Sequence, residues 1–162
     1  MERTSGMKLD HIAYRVKDRY KTSKFFIDTQ NYEIHTEFKI EFDDGTYADC
    51  LSLKSEGLPE LFISNGVDNS IVGDWVKERG GIGGIHHIAY RVDNVEKVMN
   101  EWKEKGYTEF LSDKPLVCED PHLIQIFTKP SELTGVVYEL ITRESEGFCE
   151  KNVEKLMEST KT

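Results

Sequence analysis

Apolar and polar positions alternate along two stretches that carry the same letters. Residues 9–18 read LDHIAYRVKD and residues 85–94 read IHHIAYRVDN. A period of two predicts a strand whose successive side chains point to opposite faces. Ile12, Tyr14 and Val16 then form an apolar face able to pack under a helix, with His11, Ala13 and Arg15 opposite. The second copy puts Ile88, Tyr90 and Val92 on the packing face and turns His87, Ala89 and Arg91 inward. A helical pattern follows each copy, TSKFFIDTQ after the first and NVEKVMNEWKEKG after the second, and extended segments come next. A weaker echo closes each half: LPELFIS at 58–64 and VVYELIT at 136–142, with Glu60 answering Glu139. Each half therefore reads as β-α-β-β-β. The identity of HIAYRV from His11 to Val16 with that from His87 to Val92 marks duplication of one module.

The expected organisation is an α+β fold in a single domain over residues 1–162. The first βαβββ module covers 8–66, a connecting helix and Gly-rich linker 67–84, the second module 85–143, and a C-terminal helix 146–160. Val153, Leu156 and Met157 recur at helical spacing and suit docking of that last helix. GGIGG at 80–84 precedes a strand rather than opening a helix after one, so it reads as a flexible linker and not a phosphate loop.

Composition narrows the function classes. Hydrophobic residues make up 38% and charged residues 31%, enough apolar material for a core. A formal net charge of -9 opposes phosphate backbones, so nucleic acid is not an expected partner. No apolar run reaches membrane-span length, and MERTSGMKLD lacks the apolar stretch of a secretory signal. Cys50, Cys118 and Cys149 are widely spaced with no CxxC pair, so no disulfide and no thiolate zinc site are expected. A reducing, cytoplasmic setting fits.

The candidate chemistry sits in the repeated positions. In the last strand Glu139 lies between Tyr138 and Leu140, on the face opposite these apolar neighbours. A carboxylate in an apolar strand is costly to bury without a partner. Two modules facing each other would bring His11, His87, Glu60 and Glu139 into one concave space. Two imidazoles with one or two carboxylates suit a divalent ion such as Fe(II), Co(II), Ni(II), Mn(II) or Zn(II). Two His and one carboxylate with open positions suit a non-haem iron oxygenase; a second carboxylate suits Lewis-acid isomerase chemistry better. For proton transfer, Glu139 or a residue of the EFDDG turn, Glu41 or Asp43, is a candidate base, although Asp-Asp-Gly is also ordinary hairpin chemistry. His35, His86 and His122 have no repeat partner of the same type and read as surface or outer-layer residues.

At these residues the chain resembles the vicinal oxygen chelate superfamily, which includes glyoxalase I, methylmalonyl-CoA epimerase, extradiol dioxygenases and 4-hydroxyphenylpyruvate dioxygenase. The resemblance covers nearly the whole chain and implies paired βαβββ modules closing a half-open barrel around one metal. Residues 70–98, SIVGDWVKERGGIGGIHHIAYRVDNVEKV, are similar to methylmalonyl-CoA epimerases, and Glu60 in ELFISNG matches a ligand position of glyoxalase I. GYTEFLS at 106–112, LIQIFTKP at 123–130, VVYELITR at 136–143 and EGFCEKNVEKLMES at 146–159 look like the end of 4-hydroxyphenylpyruvate dioxygenase.

The dioxygenase resemblance, the longer of the two, implies an Fe(II) triad of His11, His87 and Glu139 and a 2-oxo acid substrate with O₂. It also implies a substrate-orienting role for Gln125, an aromatic gate at Phe148, and Asn152 seating the last helix. The chain corresponds only to the metal-bearing half of that family's proteins, which carry an additional N-terminal domain, and its segment between Ser112 and Leu123 is much shorter. Glu60 has no ligand counterpart there. The epimerase and glyoxalase resemblance implies instead an acyl-CoA or thioester substrate and an enolate stabilised by metal. A metal-free binding protein is the third class, and the full ligand set argues against it. A homodimer is compatible with an exposed sheet edge.

Overall fold

A computed structural model describes residues 5–160. Its elements run β1 (Lys8–Val16), α1 (Arg19–Gln30), β2 (Glu33–Glu41), β3 (Tyr47–Lys54), β4 (Glu60–Gly66), α2 (Ile71–Glu78), β5 (Gly83–Arg91), α3 (Val95–Lys105), β6 (Leu116–Glu119), β7 (His122–Phe127), β8 (Val137–Arg143) and α4 (Glu150–Ser159). The β-α-β-β-β order thus occurs twice. Two compact units emerge. One holds residues 11–86 and the last described residues from Met157; the other holds the first described residues up to Asp10 and residues 87–156.

In the unit of residues 11–86 the strands lie in the order β2-β3-β4-β1. β1 runs parallel to β4, and the β2–β3 and β3–β4 pairs are antiparallel. Asp18 starts α1 by accepting from the backbone N–H groups of Tyr20 and Lys21, and Asn31 ends it in the left-handed region. Phe26 and Ile27 of that helix pack on Val16, Leu51, Leu53, Leu61 and Ile63, joined by Ile12 and Tyr14 as the alternation requires. The opposite side of β1 is buried too: His11, Ala13 and Arg15 are each no more than 3% exposed. Ser70 caps α2 by accepting from Gly73 N–H, and the helix buries Val72, Trp75 and Val76.

The GGIGG segment is more than a linker. Gly83 and Gly84 open β5. Gly83 has φ +84, and a Cβ there would overlap the Arg15 carbonyl oxygen, so only glycine permits this approach of backbone to backbone.

In the unit of residues 87–156 the order is β5-β8-β7-β6, with β5 and β8 parallel and the remaining pairs antiparallel. Helix α3 runs from the Asn94 cap to Gly106 in the left-handed region. It presents Val95, Val98, Met99 and Trp102, at i, i+3, i+4 and i+7, to Val92, Ile126 and Leu140. Asp10, one residue before His11, belongs to this unit. Its Oδ1 accepts from Arg91 Nε and Nη2 at 3.1 and 2.9 Å and from Arg143 Nε at 3.1 Å, and its Oδ2 from Arg143 Nη2 at 2.9 Å. Arg91 therefore does not face an enclosed site as its parity suggested; its side chain is 45% exposed and answers Asp10.

The expectation of no disulfide is corrected. Cys118 on β6 and Cys149 ahead of α4 form one, 31 residues apart in sequence. Cys149 packs with Leu123 and Ile141, so the bridge ties the start of the last helix to the sheet. Spacing alone could not show this, because the strand pairing that brings the two sulfurs together spans three strands. The cysteine argument for a reducing compartment falls with it. Thiol titration of the unfolded chain should find one thiol, Cys50, before reduction and three after it. Closing a loop of this length restricts the unfolded chain, so Cys149→Ser should lower stability by about 3–4 kcal/mol, read from denaturant midpoints. No described helix is long and apolar enough to cross a membrane.

Candidate metal centre

In the unit of residues 87–156, β5 and β8 are parallel neighbours, with Ala89 opposite Glu139. His87 and Glu139 share the face away from α3, and they are 6% and 1% exposed. His87 Nε2 lies 3.4 Å from Glu139 Oε1. Phe127 stands edge-on to the His87 ring, with centroids 5.9 Å apart, and holds its plane. The second carboxylate oxygen, Oε2, accepts from Gln125 Nε2 at 3.0 Å. Gln125 Oε1 in turn accepts from Asn152 Nδ2 at 2.9 Å. Because Gln125 donates at one end and accepts at the other, its amide has a single orientation. Asn152, buried on α4, thus anchors a chain that ends on Glu139.

This pair fits a divalent ion. Two donors bound to one ion at about 2.1 Å lie roughly 3.0–3.4 Å apart in octahedral or tetrahedral geometry, and the observed 3.4 Å falls there. Gln125 occupies Oε2 and leaves Oε1 directed at the imidazole, an outer-layer arrangement typical of metal carboxylates. Gln125→Ala should therefore weaken Co(II) binding by about 10–100-fold, with a smaller loss for Asn152→Ala, measured by competition with a chromogenic chelator.

In the unit of residues 11–86, His11 lies opposite Glu60 on parallel strands, and Ala13 lies opposite Phe62. β4 is paired on both sides, so Glu60 is half-buried on an inner strand rather than exposed on an edge. The registers of the two modules differ from the sequence echo. His87 lies opposite Val137, so the counterpart of Glu60 is Val137, and the counterpart of Glu139 is Phe62. Phe62 is 4% exposed and packs on Phe38, with centroids 5.8 Å apart. An aromatic ring thus stands where the first module would carry its second carboxylate.

Glu41 and Asp43 are exposed at the β2–β3 turn, where Asp44 accepts from Thr46 N–H and hydroxyl, as plain turn chemistry requires. Phe148 is half-buried just ahead of α4. His35 is exposed, and His122 lies 3.9 Å from Glu144 at the surface. His86 is not at the surface: it is 3% exposed and edge-on to Trp75. The Asp10 pairing with Arg91 and Arg143 went unseen in the sequence. Its only trace there is an acidic residue preceding the first HIAYRV where the second has His86.

The fold has known relatives. The chain is 28% identical over 133 residues to mitochondrial methylmalonyl-CoA epimerase of Mus musculus, covering 82% of this chain and 71% of that protein. Among solved structures, a variant of 4-hydroxymandelate synthase from Streptomyces coelicolor superposes with TM-score 0.82 at 20% identity, covering 96% of this chain and 53% of that one. The methylmalonyl-CoA epimerase of Mycobacterium tuberculosis superposes with TM-score 0.67 at 20% identity, covering 90% and 94%. The chain thus spans about half of the synthase and nearly all of the bacterial epimerase. The family profile described as Glyoxalase/Bleomycin resistance protein/Dioxygenase superfamily matches residues 10–125. With its two βαβββ modules and α+β architecture, the chain belongs to the glyoxalase/bleomycin resistance protein/dioxygenase superfamily.

Proposed function

We propose that the protein is an Fe(II)-dependent oxygenase of a 2-oxo acid, its ion held by His11, His87 and Glu139. The observation that carries this reading is Phe62 at the register position of Glu139. A phenyl ring offers no donor, so the module repeat supplies two imidazoles and one carboxylate. That set leaves positions open for a chelating substrate and O₂. Glu60 stands outside it.

Iron(II) held there supplies Lewis-acid polarisation of the bound 2-oxo acid and one-electron chemistry towards O₂. The protein's own contribution is positional. Asn152 orients Gln125, Gln125 holds one Glu139 oxygen, and the other oxygen stays beside His87. Phe127 packs against His87 and limits the water that reaches it. Phe62 and Phe38 form an apolar wall near Ala13 in the first module, suited to the carbon skeleton of a substrate.

The second reading is proton transfer at the α-carbon of an acyl-CoA, favoured by the 28% identity to methylmalonyl-CoA epimerase. It would use Glu60, level with His11, as a further ligand or as the base. One experiment separates the two. The protein is loaded anaerobically with Fe(II) and given O₂ with a panel of aromatic and aliphatic 2-oxo acids. The oxygenase reading predicts O₂ uptake matched by CO₂ release, retained in Glu60→Ala. No uptake with any member, together with deuterium entering the α-carbon of methylmalonyl-CoA from D₂O, would replace it with the epimerase reading.

A further inference from the structure

The Cys118–Cys149 disulfide brackets the hydrogen-bond chain that ends on Glu139. Cys118 lies on β6, the last strand in the order β5-β8-β7-β6. Leu116 and Cys118 of that strand stand opposite Gln125 and Leu123 of β7. Cys149 comes three residues before Asn152, close to one helical turn. Its carbonyl accepts from the Val153 N–H at 2.9 Å, so Cys149 opens α4. One sulfur is therefore fixed to the strand pair that carries Gln125, and the other to the helical turn that carries Asn152. Between Gln125 and Asn152 runs a buried hydrogen bond of 2.9 Å.

The two ends of α4 are held by different means. Leu156 packs with Phe127 and Val137, which docks the later part of the helix whatever the state of the sulfurs. Ahead of the helix, residues 144–149 form neither helix nor strand, and the disulfide is their covalent tie to the sheet. Two thiols need more room than a bonded pair of sulfurs. β6 is fixed by its ladder to β7, so on reduction the displacement falls on Cys149 and the turn that it opens. Cys149 is 4% exposed and packs with Leu123 and Ile141, whereas Cys118 is half-buried on an edge strand. A reductant therefore reaches the bridge at Cys118, since exchange follows access to the attacked sulfur.

We propose that this disulfide is a redox switch on the candidate metal centre. Oxidised, it holds Asn152 against Gln125 and so fixes Glu139; reduced, it frees the first turn of α4 and loosens that hold. The step is thiol–disulfide exchange with a dithiol reductant. A reductant thiolate attacks Cys118 Sγ, the protein S–S bond breaks, and Cys149 leaves as a thiolate that takes a proton. The reductant's second thiol then attacks the reductant sulfur of the mixed disulfide, which releases Cys118 as a thiol and leaves the reductant as a disulfide. Asn152 and Gln125 act here as positioning residues. The effect on metal binding rests on the metal reading above; the loosening of α4 does not.

The test compares the full chain oxidised and after reduction by a dithiol that is removed anaerobically before metal is added. In the metal-free protein, amide hydrogen exchange is read at Val153, whose N–H closes the first turn of α4. Exchange there should rise about tenfold or more on reduction, while the amides of β8 change little. Co(II) affinity, read by competition with a chromogenic chelator, should fall about threefold to tenfold, because the outer-layer contact is loosened and not removed. The double variant Cys118→Ser/Cys149→Ala has no thiol at either position to bind cobalt, and it should match the reduced wild type in both readings. In Gln125→Ala the affinity should no longer depend on the state of the disulfide, which separates positioning through Gln125 from general destabilisation. Equal exchange at Val153 in both states, an affinity change under about threefold, a redox effect that survives Gln125→Ala, or a double variant that behaves as the oxidised protein would overturn the proposal. Failure of the metal reading looks different: no Co(II) binding in either state, while exchange at Val153 still rises. That result overturns the link to the metal and upholds redox control of α4.

Discussion

Asp10→Ala should lower the stability of the protein by about 3–5 kcal/mol, the usual consequence of removing one partner of a buried ion pair. Asp10 and Arg143 are each 3% exposed at the side chain, and four hydrogen bonds from two guanidinium groups converge on this carboxylate. Without it, Arg143 keeps its bonds to the carbonyls of Ser145 and Gly147 at 3.2 and 2.6 Å but retains no counter-charge at Asp10. Arg91, 45% exposed, can turn to water, so most of the loss falls on Arg143. For a chain of this size the change corresponds to a fall in Tm of roughly 6–20 °C. Asp10→Asn keeps acceptor capacity without the charge and should fall between. Denaturant midpoints with an unchanged m-value would support this origin; a loss under 1 kcal/mol in Asp10→Ala would contradict it.

His87→Ala and Glu139→Ala should each abolish turnover and weaken divalent-metal binding by well over the about 10–100-fold of an outer-layer partner such as Gln125. Each removes one of the two donors that lie 3.4 Å apart. Glu139→Ala also leaves Gln125 Nε2 buried without its acceptor, at a cost of about 1–3 kcal/mol. Loss of a buried carboxylate offsets part of that, so the fold should persist and circular dichroism should match the wild type. Metal affinity within threefold of wild type in either variant would contradict the assignment.

The buried candidate positions were legible in the sequence where two signals coincided. HIAYRV occurs twice, and its alternation separates the packing face of Ile12, Tyr14 and Val16 from that of His11, both of which the structure buries. Glu139 stood out as a carboxylate in an apolar strand, and it is buried against Gln125.

The register of the partner strand was not legible, for a physical reason. Aligning LPELFIS with VVYELIT on their glutamates shifts one strand by two residues. A shift of two keeps every side chain on its own face, so alternation cannot detect it. Packing decides instead: the structure matches Leu61 with Tyr138 and Ile63 with Leu140, and Phe62 then answers Glu139. The Cys118–Cys149 bridge and the Asp10 pairing were hidden for a different reason, since each joins residues that only the folded chain brings together. His86 was placed among surface or outer-layer residues because nothing local signals that Trp75, on a separate helix, packs against it.

On the oxygenase reading proposed above, three protein ligands, not four, hold the ion. That reading is tested most directly by titrating Co(II) into Glu60→Ala beside the wild type. Affinity within threefold of wild type is the predicted result, because Glu60 answers Val137 and not Glu139. A loss in Glu60→Ala as large as that in Glu139→Ala would establish a fourth ligand and contradict the oxygenase account.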